Sequence, residues 1–104
     1  MDADIVKVKL SDLGERLKRL RISRGETQAR FSARLGVSIP TFRAMETGDV
    51  KVGIGRWADA LWLLDRLDDL DQVLASKADL FDQWEKSTKK VRQRAYAPRK
   101  KPGR

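Results

Sequence analysis

Residues 27–48, Thr-Gln-Ala-Arg-Phe-Ser-Ala-Arg-Leu-Gly-Val-Ser-Ile-Pro-Thr-Phe-Arg-Ala-Met-Glu-Thr-Gly, hold the side chains best suited to recognition chemistry. They form two short helical patterns separated by Gly36-Val37-Ser38, and the chemistry this spacing permits is non-covalent. A tight turn containing Gly sets one helix steeply across another, so that the second can enter a DNA major groove while the first braces it. Ser38 is placed to cap the second helix, and Pro40 suits its first turn, where a missing N–H costs nothing.

Covalent and metal chemistry find little support. The chain has no Cys and no His, so disulfides, thiolate sites and imidazole ligands are all absent, and no metal or other cofactor is expected. Gly53-Ile54-Gly55 is too short for a phosphate-cradling loop. The carboxylates between Asp65 and Asp71 read as a solvated helical face, because neighbours such as Asp68 and Asp69 point in different directions. An enzyme is therefore not expected, and no catalytic residue is assigned.

The elements that must position the recognition segment follow from apolar spacing. Ile5 to Leu10 alternates weakly with β-branched residues, which predicts a short strand or an extended arm over residues 1–10. Ser11 is a plausible cap for a first helix to about Arg24, with Leu13, Leu17 and Leu20 on one face, and Gly25 stops it. Thr27 caps the second helix, whose Phe31 and Leu35 face inward. Phe42 and Met45 supply the buried face of the third, which Gly48 ends. Ile54, Trp57, Ala58, Leu61 and Leu64 mark a fourth amphipathic helix, and a fifth is expected over Leu67 to Leu74. Leu80, Phe81 and Trp84 form one apolar face of a further short helix from about Asp79, with a Lys-rich continuation through Arg94. The chain thus divides into an arm (1–10), an all-α domain (11–76), and a helical extension with a basic tail (77–104). Beyond Ala97, prolines, glycine and basic residues predict a disordered end.

A length of 104 residues suits one small domain with tails. A compact core of ~70 residues is marginal alone, so a homodimer is expected. The net charge of +8 is segregated: residues 7–56 hold twelve Lys or Arg against five acids, residues 57–85 hold two against eight, and the last nineteen carry nine basic residues and no acid. Two basic stretches flanking an acidic one imply a polyanionic partner, although a solubilising surface charge would look the same. The tail could follow a phosphate backbone, reach into a minor groove, or meet an acidic protein. No apolar run approaches the ~20 residues of a membrane span, and the acidic amino terminus is unlike a signal peptide, which predicts a cytoplasmic protein with no membrane partner.

Several motifs agree in order and spacing with a known family. Leu13-Gly-Glu-Arg-Leu-Lys-Arg-Leu-Arg21, Gly25-Glu-Thr-Gln28, Leu35-Gly-Val-Ser38 and Glu46-Thr-Gly48 resemble the lambda-repressor-like (XRE) helix-turn-helix domain of bacterial and phage regulators, over roughly residues 11–75. The resemblance implies an all-α, five-helix DNA-binding fold. Glu26, Phe31 and Ser32 depart from its usual aliphatic residue, Leu and Ala. By the same resemblance Gln28 would clamp the DNA backbone at a helix N-terminus. The start and outer face of the third helix, Ser38, Ile39, Pro40, Thr41, Arg43, Ala44 and Thr47, would meet the bases. Arg43 can fork onto guanine O6 and N7, Ile39 and Pro40 can press on thymine methyls or sugar, and so sparse a polar readout implies some reading of DNA shape. Arg21 and Glu46 would form an ion pair between the first and third helices, and Lys51 would contact the backbone.

One short helix can hide Trp57 or Trp62 in its own domain but hardly both, so Trp57, Trp62, Leu63, Leu67 and Leu70 are the expected dimer interface. Two recognition helices would then meet successive major grooves of a palindromic operator. Ser38-Ile-Pro-Thr-Phe-Arg43, Trp57-Ala-Asp-Ala-Leu-Trp62 and the Arg-rich end look most like HipB-type antitoxins, repressors encoded beside a HipA-like kinase toxin. A stand-alone phage- or plasmid-type regulator remains open, as does an RNA-binding or protein-interaction module.

Overall fold

The computed structural model describes residues 2–94, with side chains through Thr88, and the expected disordered end beyond Ala97 lies outside the described residues. The described residues form helices throughout: α1 (Ala3–Ser23), α2 (Gln28–Leu35), α3 (Ile39–Thr47), α4 (Ile54–Leu63), a 3₁₀ helix (Leu67–Gln72) and α5 (Lys77–Arg94). The chain divides into two compact units, Met1–Asp69 and Leu70–Arg104, a division earlier than the one expected after Ser76.

The largest correction concerns the amino terminus, where α1 absorbs the predicted strand or arm. Asp2 caps it, its Oδ1 accepting from the backbone N–H groups of Asp4 (3.0 Å) and Ile5 (3.3 Å). Ser11, the predicted cap, lies in mid-helix. The physical reason is register. Val6 and Leu10 continue the face of Leu13 and Leu17 at spacings of four, three and four, and this helical stripe outweighs the mild helix penalty of β-branched residues.

In the first unit α1 packs on α3, α3 on α2, and α2 on α4. Their shared core is Leu17, Phe31, Leu35, Phe42, Met45, Trp57, Ala60 and Leu64, with Leu13, Leu20, Val37, Val52 and Leu63 packed around it. Phe31 and Phe42 lie 5.0 Å apart between ring centroids, tilted by 34°, so α3 is seated by an aromatic pair worth ~0.5–1.5 kcal/mol beyond its burial. Trp57 is 8% exposed and belongs to this core. That corrects its assignment to a dimer interface, and leaves Trp62, at 37% exposure, as the outer ring of α4. Ile54 is 71% exposed because it opens α4 ahead of the buried stripe Trp57, Ala60 and Leu64, which replaces the stripe predicted from Ile54.

Both helices of the central pair end on the same double hydrogen bond. After α2, Gly36 N–H donates to Ala33 O and Val37 N–H to Ser32 O; after α3, Gly48 N–H donates to Met45 O and Asp49 N–H to Ala44 O. Each closure needs a left-handed residue, and Gly36 and Gly48 both sit at φ 78°, where a Cβ is penalised. The end of α4 uses the same closure with Asp65 at φ 59°, its N–H donating to Trp62 O and that of Arg66 to Leu61 O.

The predicted fifth helix over Leu67 to Leu74 is a 3₁₀ helix over Leu67–Gln72. Asp68, Asp69 and Asp71 crowd like charges within one turn, and Asp is a poor interior helix former. In the second unit α5 begins at a reciprocal cap: Asp79 N–H donates to Ser76 Oγ (3.0 Å) and Ser76 N–H to Asp79 Oδ2 (3.1 Å). The backbone bond from Ser76, and then its hydroxyl, hold the Asp79 carboxyl below its ordinary value.

Candidate nucleic-acid interface

Local chemistry sets α3. Ser38 Oγ accepts from Thr41 N–H at 3.2 Å and donates to Thr41 Oγ1 at 2.9 Å, so Ser38 caps α3 while Thr41 keeps a hydroxyl hydrogen for an outside acceptor. Pro40 stands in the first turn. Ile39, Pro40, Arg43 and Thr47 are exposed, and Thr41 and Ala44 half-buried, so the predicted reading residues share the outer side of α3 while Phe42, Met45 and Glu46 are buried. The Thr47 hydroxyl donates to Ala44 O at 3.0 Å, which leaves it only acceptor capacity.

Behind this surface runs a chain of polar contacts linking three helices. Arg21 on α1 donates from Nε to Glu46 Oε2 (2.7 Å), from Nη2 to Glu46 Oε1 (3.3 Å) and from Nη1 to Glu26 O (2.8 Å). Both Arg21 and Glu46 are buried, each at 7% exposure, so their charges are matched inside the domain. Glu46 Oε1 also accepts from Gln28 Nε2 (2.8 Å), and Gln28 Oε1 accepts from Arg43 Nε (3.1 Å). A carboxylate can only accept, so Glu46 fixes which end of the Gln28 amide faces it and turns the oxygen toward Arg43. The Arg43 fork is thereby held by Nε, with its four Nη hydrogens left for an external acceptor pair.

Gln28 consequently spends one amide hydrogen on Glu46 and keeps one. Capping of α2 falls to Thr27, whose Oγ1 accepts from Arg30 N–H at 3.0 Å. Lys51 is exposed in the loop after α3, and its backbone N–H donates to Asp49 Oδ1 at 2.8 Å, which draws that carboxylate onto its own loop. Leu63 and Leu67 are half-buried in the first unit, and Leu70 is half-buried at the start of the second.

Three contacts had no signal in the spacing. Glu26, which stands where the resemblance calls for an aliphatic residue, pairs with Arg34 across the end of α2. Ser32, in place of the usual Ala, is buried with its hydroxyl donating to Ala29 O at 2.9 Å, so its polarity is absorbed within its own helix. Arg24 Nη1 donates to Leu64 O at 2.9 Å, closing the carboxyl end of α4 from forty residues away.

Close approach of the backbones is the other condition for the network. A Cβ built on Gly14 would lie 2.4 Å from Glu46 O and 2.7 Å from Met45 O, and one on Gly48 would lie 2.3 Å from Leu10 O. Gly14 therefore lets α1 touch the main chain of α3, two turns before Arg21 on the same face.

Among the described residues no group of His, Cys, Asp or Glu is arranged to hold a metal ion, and no helix is long and apolar enough to cross a membrane. The profile of a family described as a helix-turn-helix domain matches residues 12–80. Neither a curated protein nor a solved structure matches the chain.

Proposed function

We propose that this chain, which belongs to the helix-turn-helix domain family, is a sequence-specific DNA-binding transcriptional repressor of the XRE type, acting as a homodimer. The observation that supports this best is the exposed guanidinium of Arg43, held through Gln28 Oε1 and backed by the buried Glu46–Arg21 pair. A fork with its orientation set in advance loses less freedom on meeting guanine O6 and N7. Ile39, Pro40, Thr41, Ala44 and Thr47 surround it as the remaining base-facing side chains. Gln28 and Lys51 are assigned to the phosphates, with one amide hydrogen of Gln28 at the start of α2 as the clamp, and Ser38 stays with the base-facing group at the start of α3, its hydroxyl hydrogen engaged by Thr41. Trp62, Leu63, Leu67 and Leu70 are the proposed dimer contacts, which would bring two α3 helices to major grooves about 34 Å apart.

The test is a comparison of two variants on an operator selected from random duplex. Arg43→Ala should lose ~1–3 kcal/mol of discrimination at the guanine it reads while weakening random duplex little, whereas Gln28→Ala, which removes a phosphate clamp together with the anchor of the Arg43 fork, should weaken random duplex and lose discrimination as well. Unchanged discrimination in Arg43→Ala refutes the reading role. Equal affinity for operator, random duplex and RNA would instead favour an interaction or RNA-binding module.

The finer assignment is a HipB-type antitoxin that represses the operon it shares with a HipA-like kinase toxin. Its support is the resemblance of Ser38 to Arg43, of the Trp57 to Trp62 helix and of the Arg-rich end. Co-expression with a kinase encoded next to this chain should yield a complex that copurifies. Separate elution of the two would leave the stand-alone phage- or plasmid-type regulator as the better reading.

A further inference from the structure

Within the first unit, α1 and α4 leave a recess of about 420 Å³, a size within the range of small-molecule sites, about 300–1,000 Å³. Leu13, Leu17 and Leu20 of α1 stand across it from Trp57, Ala60 and Leu61 of α4, so its walls are aliphatic and aromatic. Twelve of the described residues line it, about half of the 20–30 that a stable protein interface uses on each side. None of the twelve belongs to α3, so the recess is separate from the DNA surface proposed above.

Its rim is cationic. Arg16, Arg19 and Arg66 stand there with one acid, Asp69, and that carboxylate is already occupied, its two oxygens taking Arg66 at 2.8 and 3.3 Å. Arg19 meets Glu15 at 3.8 Å with both side chains more than half exposed, a pair that contributes little. Among the described residues Arg16 has no ion-pair partner. A guanidinium at the mouth of an apolar recess favours one kind of occupant, an apolar body that ends in a carboxylate, which Arg takes with two parallel hydrogen bonds. A neutral apolar molecule leaves Arg16 unused, and an ammonium meets like charge. The chain's own exposed apolar face on α5 does not fit this pattern, because Lys77 shares the side of Leu80, Phe81 and Trp84 at spacings of three, four and seven and brings a further cation.

We propose that the recess binds a small amphipathic carboxylate, its apolar body between α1 and α4 against Trp57 and its carboxylate on Arg16. The chain thereby has a small-molecule site in addition to the surface of α3. The site does not depend on the DNA-binding reading and would stand if that reading failed.

Calorimetric titration of the full chain with decanoate tests it. Decanoate should bind saturably with a dissociation constant below ~1 mM and should raise the unfolding temperature of the first unit as its concentration rises. Decylamine, with the same alkyl chain and the opposite charge, should do neither. Arg16→Glu should weaken decanoate about tenfold or more. Lys18→Glu makes the same change of charge two residues on, on the opposite side of α1, and should leave the affinity within about twofold. Replacing both rings of α5 (Phe81→Ala with Trp84→Ala) should leave it unchanged as well. No saturable binding to the parent chain, equal binding of decylamine, or equal weakening by Arg16→Glu and Lys18→Glu would overturn the site. Loss of binding in the Phe81 and Trp84 double variant would overturn it too, by moving the ligand to α5.

Discussion

Gly14→Ala should destabilise the domain by ~2–3 kcal/mol, although Ala is the better helix former by up to ~1 kcal/mol. The sign is decided by what the new methyl meets: main-chain atoms of Glu46 and Met45 at 2.4–2.7 Å. Backbone cannot rotate away as a side chain could, so α1 must lift from α3. Lifting also draws Arg21 off Glu46, and the loss falls on the pair that ties α3 to α1. Gly55→Ala is the control. Gly55 lies in the first turn of α4 with nothing within 4 Å of its Cβ position, so the same substitution there should raise stability by ~0.4–1 kcal/mol. Urea unfolding of both variants measures the contrast through the midpoint at unchanged slope. Two variants of equal stability would mean that α1 and α3 are not in backbone contact.

These two glycines also mark where sequence reading stops. The ends of α2 and α3 are legible because their devices are local: Thr27 and Ser38 bond three residues ahead, and Gly36 and Gly48 take the one conformation that only glycine enters freely. The inward positions Leu17, Phe31, Leu35, Phe42 and Met45 are legible for a related reason, since one helical period fixes the buried face. Local rules mislead at Ile5 to Leu10, where β-branched alternation masks a stripe that makes sense only as a continuation of Leu13 and Leu17. They are silent at Asp65, which closes α4 in the left-handed region without being glycine. Allocation of Trp57 to the core and Trp62 to the surface depends on where α2 and α1 lie against α4, which spacing along α4 does not contain. Gln28 is the sharpest case at the candidate site. Its place at a helix start is visible in the sequence, but its partners Glu46 and Arg43 come from another helix, so its part in holding the Arg43 fork emerges only from the packing of α2 on α3.

Glu46 is where stability and recognition meet, and two substitutions separate them. Glu46→Ala should cost ~3–5 kcal/mol, the range for stranding one member of a buried ion pair, because Arg21 would keep only its bond to Glu26 O. Glu46→Gln retains the volume and one acceptor, so the domain should stay folded at a smaller cost, but it inverts the polarity of the chain of bonds. If the new amide keeps its oxygen on Arg21 Nε, its NH₂ group faces Gln28 Nε2, donor against donor. Gln28 must then turn over, and the turned amide presents its own NH₂ to Arg43 Nε, which also only donates. The fork loses its anchor without any change in Arg43 itself. On the proposed reading, Glu46→Gln should reduce operator discrimination nearly as far as Arg43→Ala does, while the double variant adds little more, since residues in one network are not additive. Full discrimination retained by a folded Glu46→Gln chain would show that Arg43 reaches its base without help from Gln28, and that the buried pair serves the fold alone.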